Sequence, residues 1–230
     1  MKHIFATALL LLAQPVFAAM SLDKIILYLN DQPNSREDIV VTNPDAETLY
    51  LQTEIYRVDN PGMPDEQRVR VVDPKEFRLL VSPSKAVIPA GEQKRFRLMS
   101  LEQGLDKEKV YRVTFKPVVG DLKTDKTALK ILVAYQALIF VQPKTGNFNL
   151  KLERIAPDTD TLAIVNNGNI NAEISGVQYC QREDQCVPLE QKGRIYSGAR
   201  LALDGDFTAG GYIELIAKGA SESEKVRLAL

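Results

Sequence analysis

Tryptophan is absent from the 230 residues, and histidine occurs once, as His3. That histidine lies in a stretch that reads as an export signal: Met-Lys-His, an almost unbroken apolar run from Ile4 to Ala13, Pro15, then Val16-Phe17-Ala18 where a signal peptidase would cut. The run is too short to span a bilayer as a finished helix. A mature chain from Ala19 has no histidine at all, so it has no Ser-His or Cys-His nucleophile pair and no His-rich zinc site. Charge of one sign is lacking too. Without Lys2 the chain carries 28 basic and 30 acidic residues, a formal charge of −2, so no global field draws it to nucleic acid or anionic lipid. Its partner must be recognised locally.

Cysteine is scarce, with only Cys180 and Cys186 in Tyr-Cys-Gln-Arg-Glu-Asp-Gln-Cys-Val. The spacing excludes a CxxC redox site, and a two-thiolate metal site lacks its other ligands. An exported chain meets an oxidising compartment, which predicts a disulfide closing a small loop. In the chain-entropy model such a loop contributes about 2 kcal/mol, enough to fix a hairpin locally without holding the fold together.

Sustained helical periodicity is also missing. Period-two alternation dominates, and the chain reads as all-β. Strands are expected at Ser21 to Leu29, Glu37 to Thr42, Tyr50 to Arg57, Phe77 to Ser82, Ala86 to Ile88, Lys94 to Met99, Val110 to Pro117 and Leu129 to Val141. Turns are marked by Asn43-Pro44-Asp45, Asp59-Asn60-Pro61-Gly62, Ser82-Pro83-Ser84 and Pro89-Ala90-Gly91. These spacings suit an immunoglobulin-like β-sandwich. A second β pattern follows Gln142-Pro143-Lys144-Thr145-Gly146, from Asn149 to Leu230, which divides the chain into a signal (1–18), a first sandwich (19–144) and a second β-sandwich (145–230). The Leu129 to Val141 stretch, thirteen residues long, is about twice the usual strand. Leu129, Ile131, Val133 and Tyr135 share one of its faces, with Lys130 on the other.

Several local pieces, taken in order, resemble the periplasmic pilus chaperones of the chaperone-usher pathway, the PapD-like family. They are Ser21-Leu22-Asp23, Val41-Thr42-Asn43, Ser82-Pro83, Ile88-Pro89-Ala90-Gly91, Arg95-Phe96-Arg97, Tyr111-Arg112-Val113 and Pro143. In the second half, Val165-Asn166-Asn167-Gly168-Asn169, the Cys180/Cys186 loop and Tyr196-Ser197-Gly198-Ala199-Arg200 look like the alternative branch. The resemblance implies a periplasmic, non-enzymatic protein of two immunoglobulin-like sandwiches that needs no cofactor. It would bind incomplete pilus subunits by donating an edge strand and deliver them to an outer-membrane usher. Leu129, Ile131, Val133 and Tyr135 would be the donor residues. One departure from the family stands out. Better-known members hold the subunit's terminal carboxylate with a basic residue on the first strand and a lysine late in the long strand, and here those positions are Ile26 and Leu138. A carboxylate cannot be buried unpaired, so another cation is expected. Arg112 is the first candidate, since antiparallel pairing brings it beside the far end of the long strand and its fork matches a carboxylate. Lys24 and Arg97 are second candidates. Two other classes have less support. A pilus subunit or adhesin would have one domain and begin with its donor segment, and the acidic pairs Asp204/Asp206 and Glu183/Asp184 lie on turns where carboxylates are solvated rather than catalytic.

Overall fold

The computed structural model describes residues 20–118, 132–155, 161–220 and 223–230, so the expected signal and the donor positions Leu129 and Ile131 lie outside the described residues. The described chain is all-β. The first sandwich comprises β1 (Ser21–Leu22), β2 (Ile26–Asn30), β3 (Arg36–Thr42), β4 (Leu49–Asp59), β5 (Gln67–Arg70), β6 (Leu79–Ser82), β7 (Lys85–Ile88), β8 (Gln93–Ser100), β9 (Lys109–Val118) and β10 (Tyr135–Gln142). One sheet has the order β1-β3-β8-β6; the other runs β2-β10-β9-β4-β5, with β7 also on β4. The second sandwich comprises β11 (Leu150–Arg154), β12 (Leu162–Asn166), β13 (Ala172–Arg182), β14 (Gln185–Pro188), β15 (Gly193–Ile195), β16 (Arg200–Leu203), β17 (Tyr212–Lys218) and β18 (Ser223–Ala229). Its sheets are β11-β12-β16 and β14-β13-β17-β18, with β15 on β13.

Alternation fills both cores. Phe96 and Leu98 of one sheet meet Tyr111, Val113, Phe115 and Ile139 of the other, all essentially inaccessible, with Phe96 and Phe115 edge to face at 5.3 Å. Ile164, Ile174, Ile213 and Leu215 centre the second core. A buried asparagine ties the loops of each sandwich. The Asn43 amide donates to the carbonyls of Glu47, Ile88 and Pro89 at 2.8–3.1 Å. Asn166 donates to Ile170 and Ile195 and accepts from the Asn149 and Gly168 N–H groups. Both replace backbone pairing with amide bonds where the chain turns inside the protein, which explains the Val-Thr-Asn and Val-Asn-Asn sequences.

Two expectations about strands are corrected. Ser21 to Leu29 is not one strand: β1 pairs with β3 in one sheet and β2 pairs parallel with β10 in the other. The switch falls at Asp23, whose N–H donates to the Val40 carbonyl while its carboxylate accepts from Val40 N–H at 2.8 Å. The long strand begins at Tyr135, and Leu132 to Ala134, though described, belong to no strand. Pro117 explains this. Leu138 N–H donates to Ile25 O at 2.7 Å, so even-numbered residues of β10 turn their backbone groups toward β2 and odd-numbered ones toward β9. Tyr135 lies opposite Phe115, and two places further Val133 would lie opposite Pro117, which has no N–H to donate. The ladder ends there.

Candidate functional site

The registers of β2, β10, β9, β4 and β5 align Ile26, Leu138, Arg112, Tyr56 and Arg70 side by side across the sheet. These residues alternate with core positions and therefore project from the outer face of the sandwich. The neighbouring row holds Tyr28, Phe140, Val110 and Val58. Phe140 is fully buried although it faces outward, because Tyr196 of the second sandwich packs over this row, its ring 6.2 Å from that of Phe140. The Arg112 row thus lies where the open sheet face runs under the second sandwich.

Arg112 itself is half-buried. Its Nη1 donates to Gln136 Oε1 at 3.1 Å, and Gln136 Nε2 donates on to Thr114 Oγ1 at 2.9 Å. Its Nε is enclosed and, among the described residues, has no hydrogen-bond partner. A buried guanidinium N–H left unmatched calls for an explanation, since desolvating it without a partner is costly. Nearby, Glu66 is held below the usual carboxylate range, first by the Gly62 N–H at 2.9 Å and then by Arg68 and Arg112. Burial pushes the Tyr196 phenol up, opposed by Arg112 and Arg194.

Beside this row a polar cluster joins the two sandwiches. Glu108, just before β9, is 7% exposed and accepts hydrogen bonds from Gln142 Nε2 at 2.8 Å and from Asn171 Nδ2 and N–H at 2.7 and 3.3 Å. Burial raises its carboxyl above the ordinary value, against the pull of those donors and of Arg194. Arg194 donates to the Tyr28 hydroxyl, to Asn171 Oδ1 and to Glu173, and lies over Phe140 at 4.8 Å from the ring centroid. Asn169 adds bonds to the Asp106 and Thr145 carbonyls. The sequence reading missed this cluster. Its members are ordinary polar residues at strand ends, and only the packing of one sandwich on the other sets them apart.

The other expected site residues fall elsewhere. Lys24 pairs with Glu37 at 3.0 Å, and Arg97 makes a two-pronged pair with Asp38 at 2.9 and 3.0 Å. Arg97 points from the outer face of the β1-β3-β8-β6 sheet, the opposite side of the sandwich from Arg112, so the fold does not bring these cations together. Val133 is 50% exposed, while Tyr135 is partly buried against the first core. Cys180 and Cys186 are bridged across β13 and β14, as expected. The bridge lies nine residues beyond Asn171 in the chain, roughly 25 to 30 Å away along an extended strand. Asp204 accepts from Gln191, and Glu183 is exposed with Arg227 at 3.5 Å; among the described residues no His, Cys, Asp or Glu cluster could hold a metal.

Two β-sandwiches thus meet at a polar junction, beside a stretch of β10 that no described strand covers. Residues 19–147 match the family model described as pili and flagellar-assembly chaperone, PapD N-terminal domain. The chain is 30% identical to a CFA/I fimbrial subunit of Escherichia coli over 177 residues, 72% of this chain and 73% of that one. It is 25% identical over 169 residues to the probable fimbrial chaperone EcpE of Escherichia coli strain K12, covering 71% and 67%. The crystal structure of the class 5 fimbriae chaperone CfaA superposes with a TM-score of 0.73 at 26% identity, over 92% of this chain and 99% of that one. A chain from a chaperone–tip adhesin complex of CFA/I fimbriae biogenesis gives 0.69 at 25% identity, with the same coverage. The chain belongs to the PapD-like family of pilus-assembly chaperones, a non-enzymatic class.

Proposed function

We propose that this chaperone acts in the periplasm, where it captures incomplete pilus subunits by pairing them with the open edge of β10 before an outer-membrane usher receives them. In this reading residues 1–18 direct export, residues 19–144 bind the subunit and residues 145–230 form the second wall of the cleft. Beyond Leu138, no described strand covers the β2-facing side of β10, so the backbone groups of Gln136 and Ala134 face an open edge. An added strand would find its hydrogen bonds there, and Val133, with Leu129 and Ile131 beyond it, would supply apolar side chains for the subunit's groove. The observation that carries the reading is this edge of β10, uncovered by any described strand, with the half-buried Arg112 one strand away. Arg112 supplies the cation that Ile26 and Leu138 lack, and it takes the subunit's terminal carboxylate.

Purification of the tagged chaperone from periplasm, with a pilus subunit lacking its last strand co-expressed, tests this. The parent protein should bring the subunit down in about equimolar amount, and Arg112→Ala should not, at unchanged chaperone abundance. Undiminished subunit recovery with Arg112→Ala would move the anchor elsewhere.

A further inference from the structure

The same row carries information about the last residue of the partner, provided that Arg112 is the carboxylate anchor. A strand laid along Ala134 and Gln136 cannot continue past Leu138, because the N–H of Leu138 is already taken by Ile25 O. It must stop where β2 begins. An anchor at Arg112 requires the C-terminus at this end, so the added strand runs parallel to β10 and its last residue lies over Ile26 and Leu138. Those side chains are aliphatic: Ile25 is 55% exposed, Ile26 39% exposed, and Leu138 is partly buried at the margin of the Tyr28–Phe140 cluster. Ile25 and Ile26, exposed at the start of β2 and separated by β10 from the incompletely matched Arg112 of β9, form a site with an apolar floor and one cationic wall.

We propose that Ile26 and Leu138, with Ile25 at the rim, form an apolar seat for the side chain of the partner's C-terminal residue, so that this chaperone selects partners ending in an aliphatic or aromatic residue. The carboxylate goes one strand further, to Arg112, and the side chain settles where a cation would otherwise have stood. A terminal asparagine would leave its amide against aliphatic carbon, and a terminal lysine would add a cation beside Arg112. Both lose the seat while keeping the carboxylate.

The test uses fluorescein-labelled peptides of alternating threonine and valine ending in leucine, asparagine or lysine as free acids, with a leucine-ended amide as the fourth probe. Fluorescence anisotropy against the intact chaperone should show the leucine acid binding about tenfold tighter than the asparagine acid. The lysine acid should be weaker again, and the amide should lose most of its binding. Ile26→Ser, at a partly exposed position, should remove the preference for leucine without lowering the melting temperature. Equal binding of the three acids with loss of the amide would overturn the apolar seat and leave the Arg112 reading intact. Equal binding of the leucine acid and its amide would overturn the Arg112 reading itself. A leucine preference that persists in Ile26→Ser would place the seat elsewhere.

Discussion

Two arginines border the junction between the sandwiches, and their surroundings differ. Arg194 is matched on all sides: one phenol, one amide oxygen, one carboxylate and an aromatic face receive it, and it is almost wholly inside the protein. Arg112, on the other side of the Phe140 row, has among the described residues one hydrogen bond, to a glutamine, and an Nε with no partner. A guanidinium enclosed by its own protein holds two domains in place. One left incomplete is, in the function proposed above, the group that would take the subunit's carboxylate. The difference follows from the strands beneath them: Arg194 rises from β15 into a gap the fold itself closes, whereas Arg112 lies on a sheet whose next edge is covered by no described strand beyond Leu138.

The sharpest way to break this comparison is to remove each arginine in turn. Arg194→Ala leaves the Tyr28 hydroxyl, Asn171 and the buried Glu108 without their cation, and should cost about 3 kcal/mol. That corresponds to a fall of roughly 6 to 12 °C in melting temperature for a chain of this size. Arg112→Ala removes one hydrogen bond, to Gln136, and an Nε that is unmatched among the described residues, so the melting temperature should stay within about 2 °C of the parent while subunit capture is lost. Similar melting curves for the two variants would mean that both arginines are structural.

Removing the disulfide shifts the comparison to the two sandwiches. Cys180→Ser with Cys186→Ser should cost about 2 kcal/mol, read by denaturant unfolding, and leave subunit capture intact, because the bridge lies far along β13 from the junction. Loss of capture by a folded double variant would place part of the binding surface in the second sandwich. Gly62→Ala should cost less, about 1 to 2 kcal/mol. Gly62 has φ +74°, and an added Cβ would come 2.7 Å from Cδ2 of Tyr196, so the β4–β5 turn would have to withdraw from the second sandwich. A melting temperature equal to the parent's would show that this turn does not brace the junction.

Much of the architecture was readable because alternation is a local property. The turn residues, most strand positions and the disulfide all follow from neighbours in sequence. Strands β5 and β14 escaped notice because Gln67-Arg68-Val69-Arg70 and Gln185-Cys186-Val187-Pro188 bury little and present no clean alternation. The extent of the long strand was misjudged for a physical reason: its own residues alternate well beyond Tyr135, but a strand needs a partner, and Pro117 on β9 withdraws it. Arg112 could be placed from strand pairing alone. The pairing of Lys24 and Arg97 was not readable, because Glu37 meets Lys24 only once the segment after β1 lies against β3, and Asp38 meets Arg97 only once β3 and β8 are side by side. Glu108 was invisible for a related reason, since nothing in its neighbourhood along the chain announces that the second sandwich will cover it.

The smallest expected effect concerns that glutamate. Burial raises the Glu108 carboxyl above its unfolded value, so the folded protein binds the proton more tightly than the unfolded chain does. Its contribution to stability is therefore fully present below the unfolded carboxyl value, near pH 4.5, and is lost as pH rises through the folded value. The carboxylates held low by cations act in the opposite direction: Asp59 beside Arg57 and Glu66 beside Gly62 and Arg68 lose their contribution as the solution becomes acid. The whole-protein profile mixes these signs, so the informative quantity is the difference between parent and Glu108→Gln across pH 4.5 to 8. A glutamine at 108 cannot ionise. The parent should lose stability relative to the variant as pH rises, and the gap should level off once Glu108 is charged. Neither Arg112 nor the open edge of β10 takes part in this titration, so binding of the leucine-ended peptide should keep the same pH dependence in parent and variant. A difference that runs the other way, with the parent gaining on the variant as pH rises, would mean that Arg194 and the three amide donors outweigh burial and hold the Glu108 carboxyl below its unfolded value.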